Sequence, residues 1–383
     1  MRLLLLLFIA FLPLGSFADS LAVGWARHSW HKHAHHKHAH HKPAHHKPAH
    51  HKPAHHKTVH HKSAHHKLAH HKPARYNPAQ YIHTHKGATN YTLQDYYAGK
   101  SFLDDWWYFS GNDPTNGNVN YLKKEEAVDK KLSYVQPGGA TVLAVDNYSN
   151  IPVGGKRNSV RIQTKKTYSS GLFIADFSAM PYGCSVWPAY WSVGNPWPNA
   201  GEIDIIEGVN LGPANQYTLH SAADSTCTLT TAGTEVLSNV MHDVCASSDK
   251  DNRGCGFHDN NSSSYGQVFN NGGGGIFAHR WDSTGITIWR FNRDNIPSDI
   301  TARQPNPVTW PTPVAFWSSE SCDIAANFYN HVLVLDTTVC GGWAGAAYDK
   351  SGCPGTCAEA VANNANFDTA KWIINYIAVY QLE

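Results

Sequence analysis

Three carboxylates stand within six residues in Glu202-Ile203-Asp204-Ile205-Ile206-Glu207, and every residue between them is isoleucine. Ile is β-branched, so the stretch reads as a strand with side chains alternating between its two faces. Glu202 and Asp204 then share one face, and Ile203 and Ile205 the other. Glu207 comes five positions after Glu202, so strict alternation would place it among the isoleucines. A β-bulge that absorbs the extra Ile206 returns Glu207 to the face of the other acids.

Grouping like charges raises the pKa of at least one of them. Glycoside hydrolysis uses that arrangement, with one ionised carboxylate and one protonated carboxyl across the scissile bond. With the bulge, Glu202 and Glu207 are separated by roughly 13 Å of strand. Two long side chains leaning together approach the roughly 5–5.5 Å of a retaining enzyme. The competing reading is a solvated acidic strand. It fits poorly with Trp187, Tyr190, Trp191 and Trp197, which all precede the acids within fifteen residues and suit stacking on sugar rings.

Gly183-Cys184-Ser185-Val186-Trp187-Pro188-Ala189-Tyr190-Trp191, Trp197-Pro198 and Gly201 to Asn210 resemble glycoside hydrolase family 16, in particular its fungal laminarinase-type endo-1,3(4)-β-glucanases. The resemblance runs from about Tyr91 to the C-terminus. It includes Asp113-Pro114-Thr115-Asn116-Gly117, Ser159-Val160-Arg161, Leu219-His220 and Cys340-Gly341-Gly342-Trp343-Ala344-Gly345. It implies a β-jelly-roll sandwich of two antiparallel sheets with a concave sugar-binding cleft. It also implies Glu202 as nucleophile, Glu207 as acid/base and Asp204 as the group holding Glu202. Trp191, Trp197, Trp187 and Trp343 become subsite walls, and His220 a substrate contact. Core packing is the competing reading for the tryptophans, and a structural role for His220. Ala179 stands before Met180-Pro181 where relatives often carry His, which leaves subsite detail open. No cofactor and no catalytic metal are expected; a structural calcium at a distant site stays open.

The elements that must position these residues read as strands. Short alternating or apolar runs at 140–145, 159–164, 171–177, 202–206, 286–291, 331–335 and 372–380 are separated by Gly/Pro/Asn clusters, and helical periodicity is weak outside 357–364. This pattern predicts packed antiparallel sheets over residues 87–383. Eight cysteines fall in this region, which predicts up to four disulfides with the pairing undecided among 105 possibilities. Zinc is the rival reading for Cys353 and Cys357, though no paired cluster stands at the right spacing. Asn90, Asn147, Asn260 and Asn261 begin glycosylation sequons.

Residues 1–18 read as a secretory signal peptide, with Arg2, an apolar run from Leu3 to Leu14 and Ser16-Phe17-Ala18. Residues 19–86 form a disordered low-complexity segment built on a repeat close to His-His-Lys-Pro-Ala, with 20 of the 27 histidines between 28 and 72. From Ser20 to Gln94 there are ten Lys and two Arg and no acid, whereas Asp95 to Glu383 carries 18 basic against 28 acidic residues. A basic tail thus precedes an acidic domain. The tail reads as a solvated spacer; anionic wall polymers or metal ions are its alternative partners. Nucleic acid and membrane are not expected partners.

The reading is a secreted, monomeric, retaining endo-β-glucanase acting on β-1,3 and mixed β-1,3/1,4 glucans, at the cell wall or outside the cell. Three alternatives stay in view: a wall transglycosylase on the same fold, a catalytically idle glucan-binding module, and a metal-scavenging protein acting through its tail.

Overall fold

The computed structural model describes residues 90–383 apart from Ala232, Thr234 and Asp249. The expected signal peptide and His-rich segment lie outside the described residues. The chain runs through β1 (Tyr91–Ala98), β2 (Trp106–Tyr108), β3 (Val119–Tyr121), β4 (Ser133–Val135), β5 (Thr141–Ala144) and β6 (Arg157–Ser159). It continues with β7 (Arg161–Thr164), β8 (Gly171–Ala179), β9 (Val186–Val193), β10 (Glu202–Glu207), β11 (Gln216–His220) and β12 (Asn239–His242). The last strands are β13 (Cys255–His258), β14 (Gly275–Asp282), β15 (Gly285–Asn292), β16 (Ala315–Ser318), β17 (Val332–Val339) and β18 (Lys371–Leu382).

Two large antiparallel sheets form a sandwich, the jelly-roll arrangement that the resemblance implies. One sheet is ordered β16-β15-β14-β8-β18-β5-β4, with β1 also on β18; the other is β12-β13-β11-β10-β9-β17-β7-β2. Between them lies a core that includes Phe173, Phe177, Tyr190, Ile203, Tyr217, Phe277, Trp281 and Trp372, all at most 2 % exposed. Alternation decides which side chains enter it. On β14, Phe277, His279 and Trp281 face the other sheet, whereas Ile276 and Ala278 join an outer cluster beneath Trp289 and Trp310.

The run 159–164 is not one strand. Val160 separates β6, which pairs parallel with β3, from β7, which belongs to the cleft sheet. The run 357–364 is α-helical at Cys357–Ala362, opened by a capping box in which Thr356 and Glu359 satisfy each other's backbone N–H, and a 3-10 turn follows at Asn364–Phe367.

All eight cysteines are paired, as Cys184–Cys353, Cys227–Cys322, Cys245–Cys255 and Cys340–Cys357. Cys353 and Cys357 therefore lie in different disulfides, which overturns the zinc alternative for them. The four sequon asparagines are all exposed.

Two histidines sit in the core. His279 is stacked on Phe173 at 4.4 Å, and neither of its ring nitrogens has a hydrogen-bond partner. His331 is held between Ser192 Oγ and the Ala200 carbonyl. Burial pushes both downward, to about 3 for His279 and about 4 for His331. The unfolded chain therefore binds protons near pH 6.5 that the folded chain refuses, so stability is lost as pH falls from about 6.5 towards 4. His279→Leu should flatten that acid limb, seen as a smaller drop in melting temperature between pH 7 and pH 4.5.

Candidate active site

β10 supplies the three acids. Its pairing with β9 skips one residue between Asp204 and Ile206, and its pairing with β11 shifts between Asp204 and Glu207. The expected bulge is present, but the residue left over opposite β9 is Ile205 rather than Ile206. Ile203, Ile205 and Ile206 are all fully buried in the core, while Glu202 and Glu207 keep partial exposure on the opposite face.

A bulge leaves backbone groups without ladder partners. Asn215 takes them over: its side-chain oxygen accepts from the Glu207 N–H at 2.9 Å, and its amide donates to the Ile205 carbonyl at 2.9 Å. Asn215 is itself fully buried. No sequence signal singles it out, because it follows Gly212-Pro213-Ala214 in a plain turn cluster. Asn215→Ala would strand both groups, each at roughly 1–3 kcal/mol. It should lower the melting temperature and reduce kcat more than it raises KM.

Gly201, just before the first acid, has φ +81°, and a Cβ there would come within 2.4 Å of the Phe328 ring and 2.5 Å of the Asn327 carbonyl oxygen. Glycine at this position lets the strand enter the cleft against that wall.

The acids have distinct partners. Glu207 Oε1 accepts from Trp187 Nε1 at 3.0 Å. Asp204, 2 % exposed, hydrogen-bonds the Glu202 carboxyl. His220 Nε2 lies 3.3 Å from Asp204 Oδ2 and 4.0 Å from Glu202 Oε1, and its Nδ1 meets Ser247 Oγ at 2.9 Å. The Trp197 indole stands beside Glu202 and favours its charged form.

All three acids are pushed upward. Burial is the main cause at Glu202, reinforced by Asp204 and opposed by His220, Trp197 and Arg161; the result is about 8. Burial also raises Asp204, with Asp336 adding to it. Glu207 is raised by burial, then by Asp204 and Glu202, against His220 and the Trp187 hydrogen bond. The cluster therefore keeps protons at neutral pH that free carboxyls have lost. A site that holds one acid protonated beside an ionised one can protonate a leaving oxygen and still present a nucleophile.

The tryptophans divide. Trp187 and Trp343 meet edge to face at 5.5 Å and are half-buried, as is Trp197. Trp343 lies in a single helical turn, Gly341–Gly345. Trp191 pairs with Asp204 across the sheet and so lies on the cleft face. It is only 8 % exposed, packed on Ala189 and Val334 with its Nε1 donating to Asp336 Oδ1 at 2.7 Å. It is floor rather than wall. His220, expected at the substrate, is 6 % exposed, with its ring nitrogens turned to Asp204 and Ser247.

Asp336 and Arg161 were not foreseen as site residues. They pair across β17 and β7 on the cleft face, and Asp336 also accepts from Tyr121 Oη at 3.0 Å. Their signal depends on strand register, which the sequence does not display.

Glu202, Asp204 and His220 also bring His and carboxylate atoms within 4.8 Å of one another, a geometry that could grip a cation. Those are the atoms the acid chemistry needs, and a cation there would occupy them.

Comparison with known proteins agrees with this geometry. Residues 106–380 match the family described as XgeA-like, catalytic GH16 domain. A probable glycosidase of Schizosaccharomyces pombe is 41 % identical over 307 residues, covering 78 % of this chain and 71 % of that protein. An endo-1,3(4)-β-glucanase of Arthroderma benhamiae is 40 % identical over 309 residues, covering 77 % of this chain and 66 % of that one. The chain spans about half the length of further relatives, such as 46 % of a probable endo-1,3(4)-β-glucanase of Aspergillus fumigatus. Among solved structures, laminarinase 16A of Phanerochaete chrysosporium with bound β-glucans superposes with a TM-score of 0.72 at 36 % identity, covering 76 % of this chain and all of that one. An elongating family 16 β-1,3-glucosyltransferase reaches 0.71 at 37 % identity, again over 76 % of this chain and all of that one. With its three acids on one bulged strand of the cleft sheet, the chain belongs to glycoside hydrolase family 16.

Proposed function

We propose that the protein is an exported, endo-acting, retaining β-glucanase that cuts β-1,3 linkages and accepts mixed β-1,3/1,4 chains. The observation that carries this is the bulged β10 strand, which sets Glu202, Asp204 and Glu207 on one cleft face between Trp187 and Trp197. The relatives named as endo-1,3(4)-β-glucanases support the substrate class. Four disulfides and no free cysteine among the described residues support export.

In the first step Glu202 attacks the anomeric carbon as its carboxylate, the form present when the protons held by the cluster rest on Asp204 and Glu207. With Glu202 raised to about 8, this is the minor form at neutral pH and grows as pH rises. The glycosidic C–O bond breaks, and the Glu207 proton moves to the departing oxygen. The product is a glycosyl ester on Glu202. In the second step Glu207, now a carboxylate, takes a proton from water as its oxygen attacks the same carbon, and Glu202 leaves as a carboxylate. Asp204, bonded to Glu202 and flanked by His220, fixes the nucleophile's orientation. The Trp187 N–H holds Glu207 on the leaving-group side.

A sugar hydroxyl in place of water at the second step would give transglycosylation, the reading that the glucosyltransferase relative favours. Time-resolved product analysis on laminarin and a mixed-linkage glucan separates the two. Rapid loss of polymer length supports the hydrolase, and products longer than the donor support transfer. Binding without any change in either polymer would leave only the idle module.

A further inference from the structure

The cleft face extends well beyond the acids. Strand pairing places Thr218, Asp204, Trp191, Val334, Gln163 and Trp107 in register, one from each successive strand from β11 to β2. In-register residues on paired strands point to the same side of a sheet. Trp107 therefore looks out on the face that carries Asp204, while its neighbour Trp106 points into the core at 2 % exposure.

Trp107 is 59 % exposed, the one tryptophan among the described residues with most of its surface open. Lys165 Nζ sits 5.0 Å from its ring centroid and donates to the Asp104 carbonyl at 2.6 Å, so an anchored ammonium covers one side of the indole. A large, fixed, open aromatic on the outermost strand of a cleft sheet is a platform for an apolar sugar face. Four strand steps separate β10 from β2. At roughly 4.8 Å each, Trp107 stands about 19 Å from Asp204. A glucan lying across the strands therefore reaches Trp107 only when it extends several sugars beyond the acids. Polar groups line the way. Gln163 is half-buried on the same row. Arg161 lies between the Phe109 and Trp191 rings, at 4.9 and 5.0 Å, and its Nε has no hydrogen-bond partner.

We propose that Trp107 forms a distal stacking subsite that grips β-glucan chains long enough to span from the acids to β2. The proposal rests on the glucanase reading and gives it a length preference. The subsite contributes nothing to short oligosaccharides held at the acids alone.

The test compares the parent with Trp107→Ala and Trp107→Leu on laminarin and on laminaritriose. Loss of one aromatic stacking contact should lower kcat/KM on laminarin about three- to tenfold in both variants. Values on laminaritriose and melting temperatures should stay at the parental level. Trp107→Tyr should recover most of the laminarin rate. Equal losses on both substrates, or no loss on laminarin, would overturn the subsite. Calorimetric binding of laminarin to Glu202→Gln, with and without Trp107→Ala, decides the matter even if the parent hydrolyses nothing. Weaker binding only with Trp107 removed keeps the subsite, and equal binding sinks it.

Discussion

Glu202→Gln is expected to lower kcat on laminarin by at least about 10⁴-fold while leaving KM within a few-fold of the parent. The substitution keeps the size of the side chain and removes the charge that attacks the anomeric carbon. The tryptophans and the in-register face proposed to bind the chain are untouched, so substrate should still be held. Glu207→Gln should behave differently. It spares the nucleophile and removes the proton donor, so its loss should shrink on substrates with leaving groups that need no protonation. Both variants would be compared on laminarin and on an aryl glucoside with an acidic phenol. A Glu202→Gln protein that keeps more than about a tenth of parental kcat would remove Glu202 from the role argued here.

The same variant should be more stable than the parent at alkaline pH. In the unfolded chain a Glu titrates near 4.5, whereas in the fold Glu202 is raised to about 8 by burial and by Asp204. Between those values the folded state holds a proton that the unfolded chain has released. Stability therefore falls as pH rises from about 4.5 through about 8. Gln cannot ionise and does not share that loss. Thermal melts of parent and Glu202→Gln should nearly coincide at pH 4 and separate by pH 8, by an amount on the order of a few kcal/mol. Asp204 and Glu207 share the same pocket, so removing one charge also eases the other two. The buried histidines destabilise the fold as pH falls below about 6.5 and the acids do so as pH rises above about 4.5, so the two effects oppose each other between those values and only the acids act above them. A parent equally stable at pH 5 and pH 8 would show that the acids are not desolvated as described.

The acids were legible because their signal is local. Three carboxylates spaced by isoleucines declare a strand, its two faces and the need for a bulge, all within six residues. The exact bulge position was not legible, because Ile205 and Ile206 are chemically identical and only the pairing with β9 distinguishes them. Cysteine pairing was closed to sequence for the same reason: Cys184 and Cys353 are 169 residues apart and meet only through the fold. The polar partners of Trp191 and His220 could not be read from resemblance alone. Both stand on the cleft face, but each spends its polar atoms on a carboxylate: Trp191 on Asp336 and His220 on Asp204. Trp107 was invisible because Trp106-Trp107-Tyr108 reads as an apolar run, and nothing in it says which ring faces the cleft. Val160 broke a run that looked continuous, since neighbouring residues there serve two different sheets.

The central claim is double displacement by Glu202 and Glu207, and it fixes the stereochemistry of the product. The most direct measurement is proton NMR of the first reducing ends released from laminarin, recorded before mutarotation equalises the anomers. A retaining pair predicts that the β-anomer appears first and the α-anomer only later. Initial release of the α-anomer would mean that water attacks directly, and would contradict the account of Glu202 as nucleophile.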